Sequence, residues 1–116
     1  MALQDRIVNQ AQAAKNASRS MNNLSTITKN NALLAMARAL EQRSGAILEA
    51  NAVDLEEARK KGIKRSFLDR LLLDESRVAG MADGLRQAAA LPDPVWEEDY
   101  ASVRPNGLEI RRVRVP

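Results

Sequence analysis

Apolar residues recur at steps of three and four along most of the chain, and this spacing predicts amphipathic helices. The first predicted helix covers residues 3 to about 22 and carries a narrow, alanine-rich apolar stripe. The pattern then breaks at a group of hydroxyl side chains. Ser25, Thr26 or Thr28 can accept a hydrogen bond from the first N–H groups of a helix. The second predicted helix therefore begins at one of these residues and runs to about Arg43.

Three more helices are predicted between residues 46 and 90. The third runs from Ala46 to Lys61 and stops at Gly62, because glycine adopts the left-handed conformation that ends many helices. The fourth is short, from Arg65 to Leu72. Asp74 is a favourable N-cap for the fifth helix, and two prolines that follow residue 90 prevent it from continuing.

The predicted helices place their large aliphatic side chains in one core. Asn51 lies on or near the apolar side of the third helix and is interpreted as a buried structural hydrogen-bonding residue. The fourth helix supplies the densest apolar cluster, which is expected to anchor that core and to make Leu71→Ala strongly destabilising. The predicted core residues are Leu34, Leu40, Ile47, Leu55, Phe67, Leu68, Leu71 and Leu72.

The residues that follow Pro94 favour extended structure. Pro105-Asn106-Gly107 predicts a tight turn between two strands, since Asn-Gly is a strong hairpin signal. The last strand, Leu108 to Val115, carries apolar residues on both faces, and an isolated hairpin is only marginally stable in water. We therefore expect this tail to be poorly protected, or ordered by pairing with another chain, and the chain to be part of a larger protein. The predicted fold is mainly α, with about five helices and a C-terminal β-hairpin.

The composition excludes several kinds of chemistry. Cysteine and histidine are both absent, so a thiol nucleophile, a thiolate metal site and an imidazole base are absent too. There is no glycine-rich phosphate-binding motif, and acidic runs such as Glu56-Glu57 and Glu97-Glu98-Asp99 are interpreted as solvated surface. The sequence thus predicts no catalytic, no cofactor-binding and no metal-binding residue. It also contains neither a signal-peptide pattern nor an apolar run long enough to span a membrane, which predicts a cytoplasmic location without membrane partners.

The charge is concentrated at one end of the sequence. The formal net charge is +3, and residues 101–116 account for all of it, with four arginines against Glu109. No aromatic platform accompanies these arginines, so nucleic-acid binding is not predicted. Like-charge repulsion between the arginines is expected to oppose pairing of two hairpins, and salt is expected to relieve that repulsion.

None of the following four stretches is a catalytic signature, but together they resemble one enzyme family: ILEANAVDLEEARKKG (47–62), FLDRLLL (67–73), GLRQAAALPDPV (84–95) and RPNGLEIRRVRVP (104–116). They cover nearly the whole chain in order and look like the N-terminal portion of the γ-glutamyl phosphate reductases, also called glutamate-5-semialdehyde dehydrogenases, in the aldehyde dehydrogenase superfamily. Two departures are visible: Trp96 stands where the family usually has glycine, and Asp74 where threonine is common.

The resemblance implies an N-terminal part of an α/β enzyme that reduces γ-glutamyl phosphate to glutamate 5-semialdehyde in proline biosynthesis. It implies NADPH as the cofactor of the full-length parent and none for this chain, whose family's catalytic cysteine lies beyond Pro116. Residues 1–95 would be the helical part of the cofactor-binding domain, and residues 96–116 the hairpin of an oligomerisation arm. The implied partners are the remainder of the parent enzyme and a second subunit that meets the 99–116 hairpin. The alternative is a free-standing helical protein-interaction module without enzymatic activity.

Overall fold

The computed structural model describes residues 2–116, which form five helices followed by a two-stranded antiparallel sheet. This confirms the predicted mainly α fold with a C-terminal hairpin. The third helix begins slightly earlier than predicted, so that Ser44-Gly45 lies in its first turn. The elements are α1 (Leu3–Met21), α2 (Thr26–Gln42), α3 (Ser44–Lys60), α4 (Arg65–Leu71), α5 (Glu75–Ala90), β1 (Glu98–Val103) and β2 (Glu109–Val113).

The chain forms two compact units. One is the helical unit, residues 29–91, which contains most of α2 and all of α3, α4 and α5. The other combines the residues up to Thr28 with residues 92–116 and contains α1 and the hairpin. Within this second unit the Thr26 hydroxyl donates a 2.8 Å hydrogen bond to the Asp93 carboxylate. The division at residue 95 into a cofactor-binding part and an arm stays a prediction.

The predicted helix ends are largely confirmed. Among the three candidate caps of α2 the structure selects Ser25, whose hydroxyl accepts a 3.1 Å hydrogen bond from the backbone N–H of Thr28. Asp74 caps α5 by accepting a 2.8 Å bond from the N–H of Arg77. Gly62 follows α3 at φ +71°, the left-handed conformation that glycine adopts without steric cost.

The buried hydrophobic core of the described residues is small and consists of Ala37, Leu55, Val78 and Ala82. The predicted core is therefore right for Leu55 and partly wrong elsewhere. Leu34, Leu40, Ile47 and Leu68 are half-buried. The prediction that the apolar cluster on α4 anchors the core is wrong, because Phe67 is 54% exposed, Leu71 38% and Leu72 36%.

The reason lies in the length of α4. A helix of seven residues presents one side to its neighbour, and positions four apart share a stripe. Leu68 and Leu72 line a cleft with Leu55 of α3. Leu72 follows the end of the helix and stays as exposed as Leu71, so Leu68 is the only one of the four residues of the predicted cluster that is half-buried.

The hairpin pairs β1 with β2, and Ser102 stands opposite Ile110. A register shift near Asp99 interrupts the ladder. The predicted turn is confirmed. Among its residues, all of which the structure describes, Gly107 alone has a positive φ, at +84°. The N–H of Arg104 closes the loop with a 2.8 Å bond to the carbonyl of Leu108.

Candidate functional site: two interaction surfaces

The absence of catalytic and cofactor-binding residues stays a prediction, whereas possible metal sites can be examined in the part of the chain that the structure describes. Across residues 2–116 no group of three or more acidic side chains is placed so that it could hold a metal ion. None of the helices in the same residues combines the length and apolar character needed to cross a bilayer. The features of interest are instead an apolar groove in the helical unit and a charged hairpin in the other unit.

The apolar groove is a depression of about 900 Å³ between α2, α3 and α5. Two flexible methionines stand over it, Met36 at 53% exposure and Met81 at 47%. The groove was not predicted from the sequence, which assigned two of its lining residues, Leu40 and Ile47, to the core. Its lining consists of Met36, Ala39, Leu40, Arg43, Ala46, Ile47, Ala50, Met81 and Leu85.

A charged pair joins α2 to α5 beside this groove. The guanidinium of Arg86, the neighbour of the lining residue Leu85, donates 2.6 Å to the Glu41 carboxylate and 3.0 Å to Asp83. The pKa of Arg86 is raised above its ordinary value, chiefly by the hydrogen bond to Glu41. The pair is a partly exposed ion pair between a side chain of α2 and a side chain of α5.

Asn51 of α3 is buried, with 6% of its surface exposed, as the sequence analysis expected. Its side-chain amide donates 2.8 Å to the carbonyl of Leu71, and its side-chain oxygen accepts 2.8 Å from the N–H of Leu73. A second contact reinforces the same segment, since the Arg77 guanidinium donates 2.6 Å to the carbonyl of Leu72. The residue is thus a structural connector that fixes the link between α4 and α5.

The charged hairpin carries ion pairs between its two strands. Arg112 lies 2.7 Å from Asp99, Arg111 lies 3.6 Å from Glu98, and these pairs cross from β2 to β1. Arg114 approaches Glu97 at 3.9 Å. The acidic run Glu97-Glu98-Asp99, interpreted from the sequence as solvated surface, therefore neutralises much of the positive charge of the last strand. The sequence shows an acidic run before the Asn-Gly turn and a basic run after it, but it does not show which residues pair.

The hairpin also exposes apolar side chains on β2 and around it. Every residue of β2 is exposed, and Leu108 is 57% exposed, Ile110 40% and Val113 38%. The two strands form a two-stranded sheet, so each has an edge without a neighbouring strand. Unpaired edges favour the addition of another strand.

Trp96, at the base of the hairpin, has a backbone φ of +66°. This left-handed conformation is rare for bulky residues and costs on the order of 1–2 kcal/mol. It is nevertheless retained because the N–H of Trp96 donates a 2.7 Å bond to the carbonyl of Arg114, and the N–H of Arg114 donates 3.0 Å to the carbonyl of Glu97. The departure from the family's glycine therefore falls at a position where the backbone favours glycine.

Comparison with known proteins shows which enzymes this chain is similar to. It is 50% identical over all 116 residues to the γ-glutamyl phosphate reductase of Clostridium novyi, and covers 28% of that protein. It is 57% identical over 105 residues to the corresponding enzyme of Moorella thermoacetica, of which it covers 25%. The chain matches the N-terminal part of γ-glutamyl phosphate reductase.

Solved structures agree with this assignment. The crystal structure of γ-glutamyl phosphate reductase from Thermotoga maritima superposes with a TM-score of 0.91 at 39% identity, over 94% of this chain and 26% of that one. The enzyme from Saccharomyces cerevisiae gives 0.82 at 30% identity, over the whole of this chain and 29% of that one. No family model matches the chain. The chain therefore spans about a quarter of the length of the γ-glutamyl phosphate reductases that it matches.

Proposed function

We propose that this chain acts as the N-terminal helical part and hairpin arm of a γ-glutamyl phosphate reductase. The complete enzyme would reduce γ-glutamyl phosphate to glutamate 5-semialdehyde with NADPH in proline biosynthesis. The observation that carries the proposal is the 50% identity over all 116 residues, with 28% of the relative covered. In this role the chain contributes structure and subunit contact, and the chemistry belongs to residues outside it.

The residues of this chain do not fit an NADPH site of their own. A dinucleotide site requires a glycine-rich turn between a strand and the N-terminus of a helix, where backbone N–H groups bind phosphate. Within residues 2–116 the two strands are joined to each other by a turn, and both come after the last helix. We accordingly expect the isolated chain to show no reductase activity, and micromolar NADPH binding in a calorimetric titration would contradict this expectation.

The hairpin is proposed to meet a second subunit. Its support is the combination of free strand edges with exposed apolar side chains at Val103, Leu108 and Ile110. The arginines of β2 were expected to meet a neighbouring subunit, but Arg111 and Arg112 already pair with carboxylates of the same hairpin. Backbone pairing and apolar contact would therefore provide most of the attraction.

A chimera tests the proposed function. This chain replaces the first 28% of the Clostridium novyi enzyme, the share to which it aligns, and NADPH-dependent reduction of γ-glutamyl phosphate is assayed. We expect a folded chimera with activity within about tenfold of the parent enzyme, a loss of less than ~1.4 kcal/mol. A well-folded but inactive chimera would refute the proposal and favour the free-standing interaction module.

A further inference from the structure

The apolar groove of the helical unit lacks the features of a small-molecule site. Such sites combine apolar walls with a few polar groups that orient the ligand. Among the residues that line this groove, Arg43 supplies the single polar side chain, and the rest of the lining is alanine, leucine, isoleucine and methionine. The chemistry of the surface is that of a packing face.

The helical unit also has too little core for its size. A domain of about 60 residues is marginal even when well packed. Here two of the four buried apolar residues are alanines, while Leu40, Ile47 and Leu85 stop at half burial where they line the groove. The apolar surface that would complete this core is the surface that the groove exposes.

The comparisons show that similar chains occur as part of a longer protein. This chain superposes over 94% of its length, with a TM-score of 0.91, on a crystallised γ-glutamyl phosphate reductase, of which it covers 26%. The same helices thus exist in a protein with about three times as much additional chain. The groove is an apolar depression of about 900 Å³ in the helical unit, so part of that additional chain could pack there.

We infer that the remaining three-quarters of the reductase packs against the groove between α2, α3 and α5. The inference rests on the proposed function. The occupant is a segment with aliphatic side chains for Met36, Ile47 and Met81, and with a carboxylate or backbone carbonyl that faces Arg43. This group would accept a hydrogen bond from the Arg43 side chain, which has no acceptor among the described residues.

The first test uses one substitution in two proteins. Met81→Lys is made in the isolated chain, where the side chain is half exposed, and in the chimera with the Clostridium novyi enzyme. We expect the melting temperature to fall by about 2 °C in the isolated chain and by roughly 10 °C in the chimera, because there the ammonium group would be buried in apolar surroundings. Val53→Lys is the matched control, since Val53 is 58% exposed on α3 and does not line the groove.

The outcomes separate this inference from the proposed function. An active chimera in which Met81→Lys costs no more than in the isolated chain, or no more than Val53→Lys, overturns the inference and leaves the proposed function standing. A chimera without the substitution that is well folded but inactive refutes the proposed function itself. If the isolated chain is a dimer that Met81→Lys dissociates, a second copy occupies the groove and the inference is wrong.

A second measurement needs no variant and so does not depend on the folding of one. Hydrogen peroxide converts accessible methionine to the sulfoxide, and mass spectrometry reports the rate at each residue. Met36 and Met81 should oxidise at least about tenfold more slowly in the chimera than in the isolated chain. This result would support the inference that the rest of the enzyme covers the groove. Equal rates in the two proteins would show that the groove stays open and would overturn it.

Discussion

The side-chain oxygen of Asn51 accepts a 2.8 Å hydrogen bond from the backbone N–H of Leu73. The same side chain donates to the carbonyl of Leu71, so one buried amide satisfies two backbone groups at the end of α4. Since this segment makes no regular ladder, the backbone would otherwise hold part-buried polar groups without partners. Asn51 thus substitutes for secondary structure between α4 and α5.

Asn51→Ala should lower the free energy of unfolding by about 2–3 kcal/mol, because it leaves both backbone groups unsatisfied. Urea unfolding followed by circular dichroism measures the loss. Asn31→Ala, at an exposed position of α2, is the control and should change stability by less than about 0.5 kcal/mol. Equal effects of the two substitutions would show that Asn51 is not the connector described.

Trp96→Gly should relieve the strain of the left-handed backbone at φ +66°. The informative comparison is with Trp96→Ala, which also removes the indole but keeps a Cβ in the strained conformation. We expect the glycine variant to be more stable than the alanine variant by about 1 kcal/mol. Amide exchange of the hairpin reports the difference, and greater protection in the alanine variant would contradict the assigned strain.

Leu55 and Leu71 should respond differently to truncation. Leu55 is 6% exposed and Leu71 38%, so Leu55→Ala leaves a cavity whereas Leu71→Ala removes a side chain already in contact with water. We expect a loss of about 2–5 kcal/mol for Leu55→Ala and about 1 kcal/mol for Leu71→Ala. A larger loss at Leu71, measured by thermal unfolding, would restore the core that the sequence suggested.

The contrast between these leucines shows how far sequence reasoning reached. Periodicity identified the helices and their apolar stripes, and the chemistry of Asp74 and Gly62 located helix ends, because both depend on local interactions. Burial depends on how much partner surface exists, and the periodicity of α4 carries no information about that quantity. The groove beside Met36 and Met81 was missed for the same reason.

Ion pairs of the hairpin were missed for a different reason. Arg112 and Asp99 are 13 positions apart, and the irregular register near Asp99 decides that they meet at 2.7 Å. Pairing across strands depends on register, which the alternation of apolar residues fixes only when one face is clearly buried. Here apolar and charged residues occur on both faces of the hairpin, so the sequence alone does not determine the register.

Arg112 and Asp99 should show a measurable coupling in a double-mutant cycle. The pair is largely exposed, with 72% of the Arg112 side chain and 33% of the Asp99 side chain accessible. We therefore expect about 0.5 kcal/mol of coupling at low ionic strength, decreasing as salt screens the charges. The readout is amide exchange in β2, and a coupling unaffected by 1 M salt would indicate that the contact is not electrostatic.

The hairpin should also decide whether the isolated chain associates with itself. Its free edges and exposed apolar residues, Val103 at 70% and Val115 at 71%, favour strand addition between two copies. Since the arginines of β2 pair with carboxylates in the same hairpin, repulsion between copies is weaker than the net charge of +3 suggests. Association should accordingly change little with salt, whereas the sequence alone led us to expect it to rise with ionic strength.

Sedimentation equilibrium of the full chain and of a chain cut after Tyr100 tests this prediction. The cut removes most of the hairpin and leaves all five helices, so helical circular dichroism should persist while self-association disappears. A cut chain that still dimerises would place the contact elsewhere, with the apolar groove as the next candidate. Slow amide exchange at residues 109–113 in monomeric full-length chain, comparable to that around Leu55, would show that the hairpin is stable without a partner and would remove the reason for it to pair.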